Sequence, residues 1–98
     1  MSTTPQTIRH LDDLRDYVNE VLCEHDELEV GAFSMTETIL VRNGKPCGMF
    51  FCLHGPRAVK ATAIWDALGG SVWFYGSSGA RFHRTQLVAA GALELAAA

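Results

Sequence analysis

The chain reads as an α+β fold: one N-terminal amphipathic helix packed on a four- to five-stranded antiparallel β-meander. Three observations lead there. Ile8, Leu11, Leu14, Val18, Val21 and Leu22 recur at the three-and-four spacing of a single buried helical face. From Ser34 onward that period is lost. Short runs of β-branched and aromatic residues follow, separated by Asn43-Gly44, Gly55-Pro56, Gly69-Gly70 and Gly76-Ser77-Ser78-Gly79. The densest apolar run, Cys47-Gly48-Met49-Phe50-Phe51-Cys52-Leu53-His54, is short and bounded by breakers, the signature of a buried strand. A helix with one apolar stripe must then cover one face of the sheet.

Residues 1–7 are polar and are expected to form a flexible N-terminus, 8–88 a single α+β domain, and 89–98 an alanine-rich tail. The helix is expected from Ile8 to about His25. Asp12, Asp13 and Asp16 lie in its early turns, where the helix dipole favours them. Its cap is His10 or Thr7. An acidic exit, Cys23 to Glu29, leads to Gly31, the expected terminator. The first long strand runs from Ser34 to Arg42, with Met35, Ile39 and Val41 on one side and Thr36, Thr38 and Leu40 on the other. Glu37 interrupts the apolar side, which suggests an edge strand or a functional exception. Asn43-Gly44 is a hairpin turn, and Pro46 sits at the start of the next strand, where a missing N–H is tolerated. The later strands are Ala58 to Asp66, Val72 to Tyr75 and Arg81 to Val88.

Which residues share a face depends on the parity of the loop after Leu53. An odd loop puts Met49, Phe51 and Leu53 with Val59, Ala61, Ala63 and Trp65, and leaves Phe50, Cys52, His54, Lys60, Thr62 and Ile64 opposite. An even loop swaps the pairing. The odd loop is preferred because it gives one clean apolar face, with small Ala61 and Ala63 leaving room for the helix.

At 98 residues the chain has the length of one domain, with 48 % hydrophobic and 19 % charged residues, a globular composition. The formal charge of −3 argues against a nucleic-acid partner, whose phosphates require a basic surface. No apolar run approaches the ~18 residues of a membrane helix. The first residues lack a basic stretch followed by an apolar one, so a cytoplasmic location with reduced thiols is expected.

Cys52 and His54 are two apart in a strand and share a face, so a thiol activated by imidazole, with Lys60 nearby, is a candidate catalytic arrangement. No orienting carboxylate is identifiable, and a strand cysteine is more simply a small buried hydrophobe. Metal ligation is not expected. Cys47 and Cys52 are an odd five apart, which sends them to opposite faces, and Cys23 and His25 diverge on a helix. Gly76 to Arg81 lacks the Lys-Ser/Thr ending of a phosphate loop and reads as a hairpin turn. No cofactor is implied.

Two further groupings follow from the topology. In a meander, alternate turns share an end of the sheet, which gathers His54, Arg57, Ser77, Ser78 and Arg81 as a candidate site for a small anionic ligand. Phe50, Trp73 and Tyr75 form a candidate interface. With apolar residues on both sheet faces and one helix to cover them, the expected function is a non-enzymatic interaction module, self-associating as a homodimer through the uncovered face. The alternatives are an anion-binding protein and a thiol enzyme or redox protein using Cys52 and His54.

Overall fold

The computed structural model describes residues 6–8 and 10–88; the alanine-rich tail at 89–98 lies outside the described residues. The elements in chain order are β1 (Gln6–Thr7), α1 (Leu11–His25), β2 (Met35–Arg42), β3 (Lys45–His54), β4 (Lys60–Asp66), β5 (Ser71–Tyr75) and β6 (Arg81–Val88). The sheet order is β1-β6-β5-β4-β3-β2. Strands β2 to β6 form the antiparallel meander with the helix N-terminal to it, the α+β architecture expected. The addition is β1. Gln6 and Thr7, placed by the sequence in a flexible leader, pair in parallel with Leu87 and Val88 on the outer side of β6.

The odd-loop register is the one adopted. Met49 pairs with Trp65, Phe51 with Ala63 and Leu53 with Ala61, so all six point to one face. Val72, Phe74 and Thr85 extend that face across β5 and β6. Against it lies α1, through the buried residues Leu14, Val18, Leu22 and Cys23. The small Ala61 and Ala63 on β4 let the helix approach beside the bulky Phe51 and Trp65. A partly buried hydrogen bond of 2.7 Å between the Tyr17 hydroxyl and Thr85 Oγ1 ties the helix to β6. Strands β3 and β4 approach closely at Gly48, where a Cβ would stand 2.0 Å from the Trp65 carbonyl oxygen.

Several local expectations are corrected. The helix starts at Leu11 rather than Ile8, which is buried in the extended segment before it. The N-cap is His10, without a side-chain hydrogen bond. The C-terminus comes before Gly31. Glu27 turns left-handed at φ 57°, the Leu28 N–H donates to the Cys23 carbonyl at 2.7 Å, and the Glu27 N–H donates to Glu24 at 3.4 Å. This is a Schellman closure with glutamate in the position glycine usually fills. Val41 does not join Met35 and Ile39 in the core. It lies past a register shift between Leu40 and Val41, where Cys47 of β3 is the unpaired extra residue, and is 62 % exposed. Strand β4 starts at Lys60 because Arg57 and Ala58 both have positive φ and close a single turn instead of extending. Glu37 lies on the helix side of the edge strand β2 and bonds the Arg15 guanidinium, which also holds Asp12 at 2.6 Å. The Glu37 bond pushes the Arg15 pKa up from its already high value. Both partners are partly exposed, so the pair contributes at most about 1 kcal/mol.

Two outcomes test this packing. Phe51→Ala should cost about 3–5 kcal/mol in urea unfolding, because Phe51 is fully buried at the sheet centre; a cost below about 1 kcal/mol would mean the strand is misplaced. Glu27→Gly should raise stability by about 0.5–1 kcal/mol, since only the side-chain penalty of the left-handed turn is removed. A destabilised Glu27→Gly protein would contradict this helix closure.

Candidate interaction face

Because α1 occupies one side of the sheet, the other side has no covering helix among the described residues. Its layout follows from the strand register. One row across the sheet reads Thr38, Phe50, Ile64, Trp73 and Arg84; the next reads Thr36, Cys52, Thr62, Tyr75 and Arg81. His54 pairs with Lys60 at one end and Asp66 with Ser71 at the other. The expected interface residues Phe50, Trp73 and Tyr75 therefore share this face. They surround Ile64, and all four are half-buried by their neighbours. Threonines of β2 and arginines of β6 form its two long margins.

The arginine margin is electrostatically uneven. The guanidinium carbons of Arg81 and Arg84 lie 4.8 and 5.1 Å from the Trp73 ring centroid, within cation–π range. Arg84 Nη2 donates to Ser71 Oγ at 2.9 Å and to Gln86 Oε1 at 2.8 Å, which fixes it against the sheet. The ion pairs among the described residues belong to Arg15, so neither guanidinium on this face meets a carboxylate of a described residue. Asp66 supplies the carboxylate of this face. Its Oδ1 accepts the Leu68 N–H at 3.1 Å and holds the turn to β5.

The expected thiol pair shares this face. His54 Nε2 is 3.0 Å from Thr36 Oγ1, and that hydroxyl also reaches the Cys52 carbonyl at 3.5 Å. The imidazole thus pins the edge strand β2, and no hydrogen bond joins it to the Cys52 thiol among the described residues. The expected anion group is similarly distributed. Its turns do lie at one end of the sheet, but its side chains take separate partners. Arg57 is exposed in the strained turn before β4, and Arg81 leans over Trp73. Ser77 Oγ donates to Asp26 Oδ1 at 3.4 Å on the helix side. Ser78 Oγ accepts the Ala80 N–H at 3.3 Å inside its own turn.

One arrangement has no sequence forewarning. The His25 ring stacks on Phe82 with centroids 3.6 Å apart and planes 5° from parallel. Val21, Glu24, His25, Phe82 and His83 line a cleft of about 430 Å³ between the end of α1 and β6. The register shift between Phe74 and Tyr75 permits it by releasing β6 from strict alternation near Phe82. These residues are far apart in the chain, and no local pattern links them. No group of three or more His, Cys, Asp or Glu side chains suited to a metal ion occurs among the described residues.

The thiols differ in environment. Cys23 is fully buried, donates to Asn19 Oδ1 at 3.3 Å, and has its pKa raised, chiefly by burial and further by Asp26, against a lowering backbone bond from Gly31. Cys52 is 8 % exposed and Cys47 half-buried. Labelling of single-cysteine variants near neutral pH should therefore run Cys47 first, Cys52 slowly, and Cys23 only on unfolding. A Cys52 that labels faster than a free thiol would favour the thiol nucleophile expected from Cys52 and His54 instead. No protein-family model, curated protein or solved structure matches this chain.

Proposed function

We propose that this chain is a non-enzymatic interaction module that self-associates through the open face of its sheet. The observation that supports it most directly is the composition of that face. Aromatic and aliphatic side chains, Phe50, Ile64, Trp73 and Tyr75, occupy the middle, and threonine, arginine and glutamine occupy the margins. An apolar centre rich in aromatics inside a polar, arginine-bearing rim is the anatomy of a protein interface. A solvated sheet face would alternate to polar residues throughout.

The size of the face bears on the kind of complex. Five antiparallel strands at about 4.8 Å spacing, used over six residues each, present about 24 by 20 Å, or about 500 Å². Two such faces together remove about 1,000 Å², the lower bound for a specific interface. The expected product is a concentration-dependent dimer rather than a permanent one. Sedimentation velocity over a wide concentration range tests this. The wild type should shift from monomer to dimer. Trp73→Ser and Ile64→Arg should remain monomeric while keeping native circular dichroism. A wild-type chain that stays monomeric at millimolar concentration would overturn the reading. So would a wild-type monomer whose Trp73 is already shielded from an aqueous quencher, since another part of the chain would then cover the face.

A further inference from the structure

Resting on that self-association, we propose a specific geometry for the dimer. Two copies meet open face to open face with their sheets crossed near 90°, so that Asp66 of each lies over the Arg81 and Arg84 pair of the other. Adjacent strands are about 4.8 Å apart and same-face residues along a strand about 6.8 Å apart, so the rows define a plane grid. On that grid Asp66 and Lys60 stand at opposite ends of the central strand β4, and Arg81 and Arg84 sit midway along the β6 margin. The β2 margin opposite them carries Thr36 and Thr38.

A closed dimer of identical faces requires a twofold axis lying between the sheets. An axis along β4 sets Lys60 on Lys60 and Asp66 on Asp66. An axis across the strands stacks the two arginine margins on one another. One diagonal brings Lys60 onto the arginines. The other diagonal brings Asp66 onto them and leaves Lys60 over the threonines. Only this last arrangement joins opposite charges and stacks no like ones, and unneutralised cations at an interface are costly when like charges meet.

Side-chain shape agrees with the same diagonal. It passes through Trp73 and Cys52, so Trp73 of one copy meets Trp73 of the other. It places Phe50 over Tyr75, and Ile64 between Trp73 and Tyr75. Aromatic rings therefore meet rings or an aliphatic branch, and the small Cys52 faces itself. Near-orthogonal crossing is one of the two regular ways that sheets pack. The guanidiniums already held over Trp73 would not need to move far to reach a carboxylate from above.

Charge exchange distinguishes this geometry from self-association in general. Asp66→Asn keeps an acceptor for the Leu68 N–H, so the turn is retained, yet it removes both inter-copy ion pairs. It should weaken the dimer about tenfold, with most of the salt dependence lost. Arg81→Glu with Arg84→Glu should abolish dimerisation, and adding Asp66→Arg to that pair should restore it. If Asp66→Asn has no effect while Trp73→Ser still dissociates the dimer, self-association stands and the crossed geometry falls. If assembly continues past the dimer and is lost on reversing Asp12, Asp13 and Asp16 instead, the acidic outer face of α1 is what meets the arginines. A wild-type monomer removes both proposals together.

Discussion

The pairing of Phe51 with Ala63 is the constraint from which the rest follows. A strand buries every second residue, so once this pair faces inward the facing of each side chain in β3 and β4 is determined. The large ring and the methyl group are complementary in size. Phe51 fills the sheet centre while Ala61 and Ala63 make the shallow trough in which α1 lies through Leu14, Val18 and Leu22. A one-residue slip would send Phe51 outward and leave the helix facing Phe50, Cys52 and His54. The close approach at Gly48 works against such a slip, since only a residue without a Cβ fits against the Trp65 carbonyl.

The same alternation that builds the core creates the open face. Phe50, Ile64, Trp73 and Tyr75 are brought together because their neighbours in sequence are buried. Charge divides along the same line. The helix exposes Asp12, Asp13, Asp16 and Glu20, while the sheet margin presents Arg81 and Arg84. A net charge of −3 therefore describes neither surface: the chain is acidic on one side and locally cationic on the other. That distribution matters more for recognition than the sum, since fields act over roughly a Debye length of about 10 Å at ordinary ionic strength.

The polar residues that topology gathers at one end of the sheet illustrate how local bonding overrides proximity. Ser78 satisfies its own turn, Ser77 turns to Asp26, His54 crosses to Thr36, and Arg81 settles over Trp73. Each finds a partner within a few ångströms, and convergence on a common point would have to displace these contacts. The stacking of His25 on Phe82 shows the converse. Two residues with no sequence relation become neighbours because a bulge near the end of β5 lets β6 turn a ring toward the helix terminus.

Sequence alone determined the order of helix and strands, the Asn43-Gly44 hairpin and the two residue sets on β3 and β4. These rest on short-range physics: the 3.6-residue and two-residue periods, and the positive φ that Asn43 and Gly44 adopt. It also singled out Phe50, Trp73 and Tyr75 as one grouping. Tertiary structure alone decided what depends on a distant neighbour. It recruited Gln6 and Thr7 to β6, left Val41 exposed past a bulge, closed the helix after His25 through a left-handed Glu27 rather than through Gly31, and gave Glu37 to Arg15. It also gave the His54 imidazole a cross-strand hydroxyl, Thr36 Oγ1, while leaving Cys52 and His54 on one face. A residue's period is written in its neighbours along the chain; its partner is written in the residues the fold brings beside it.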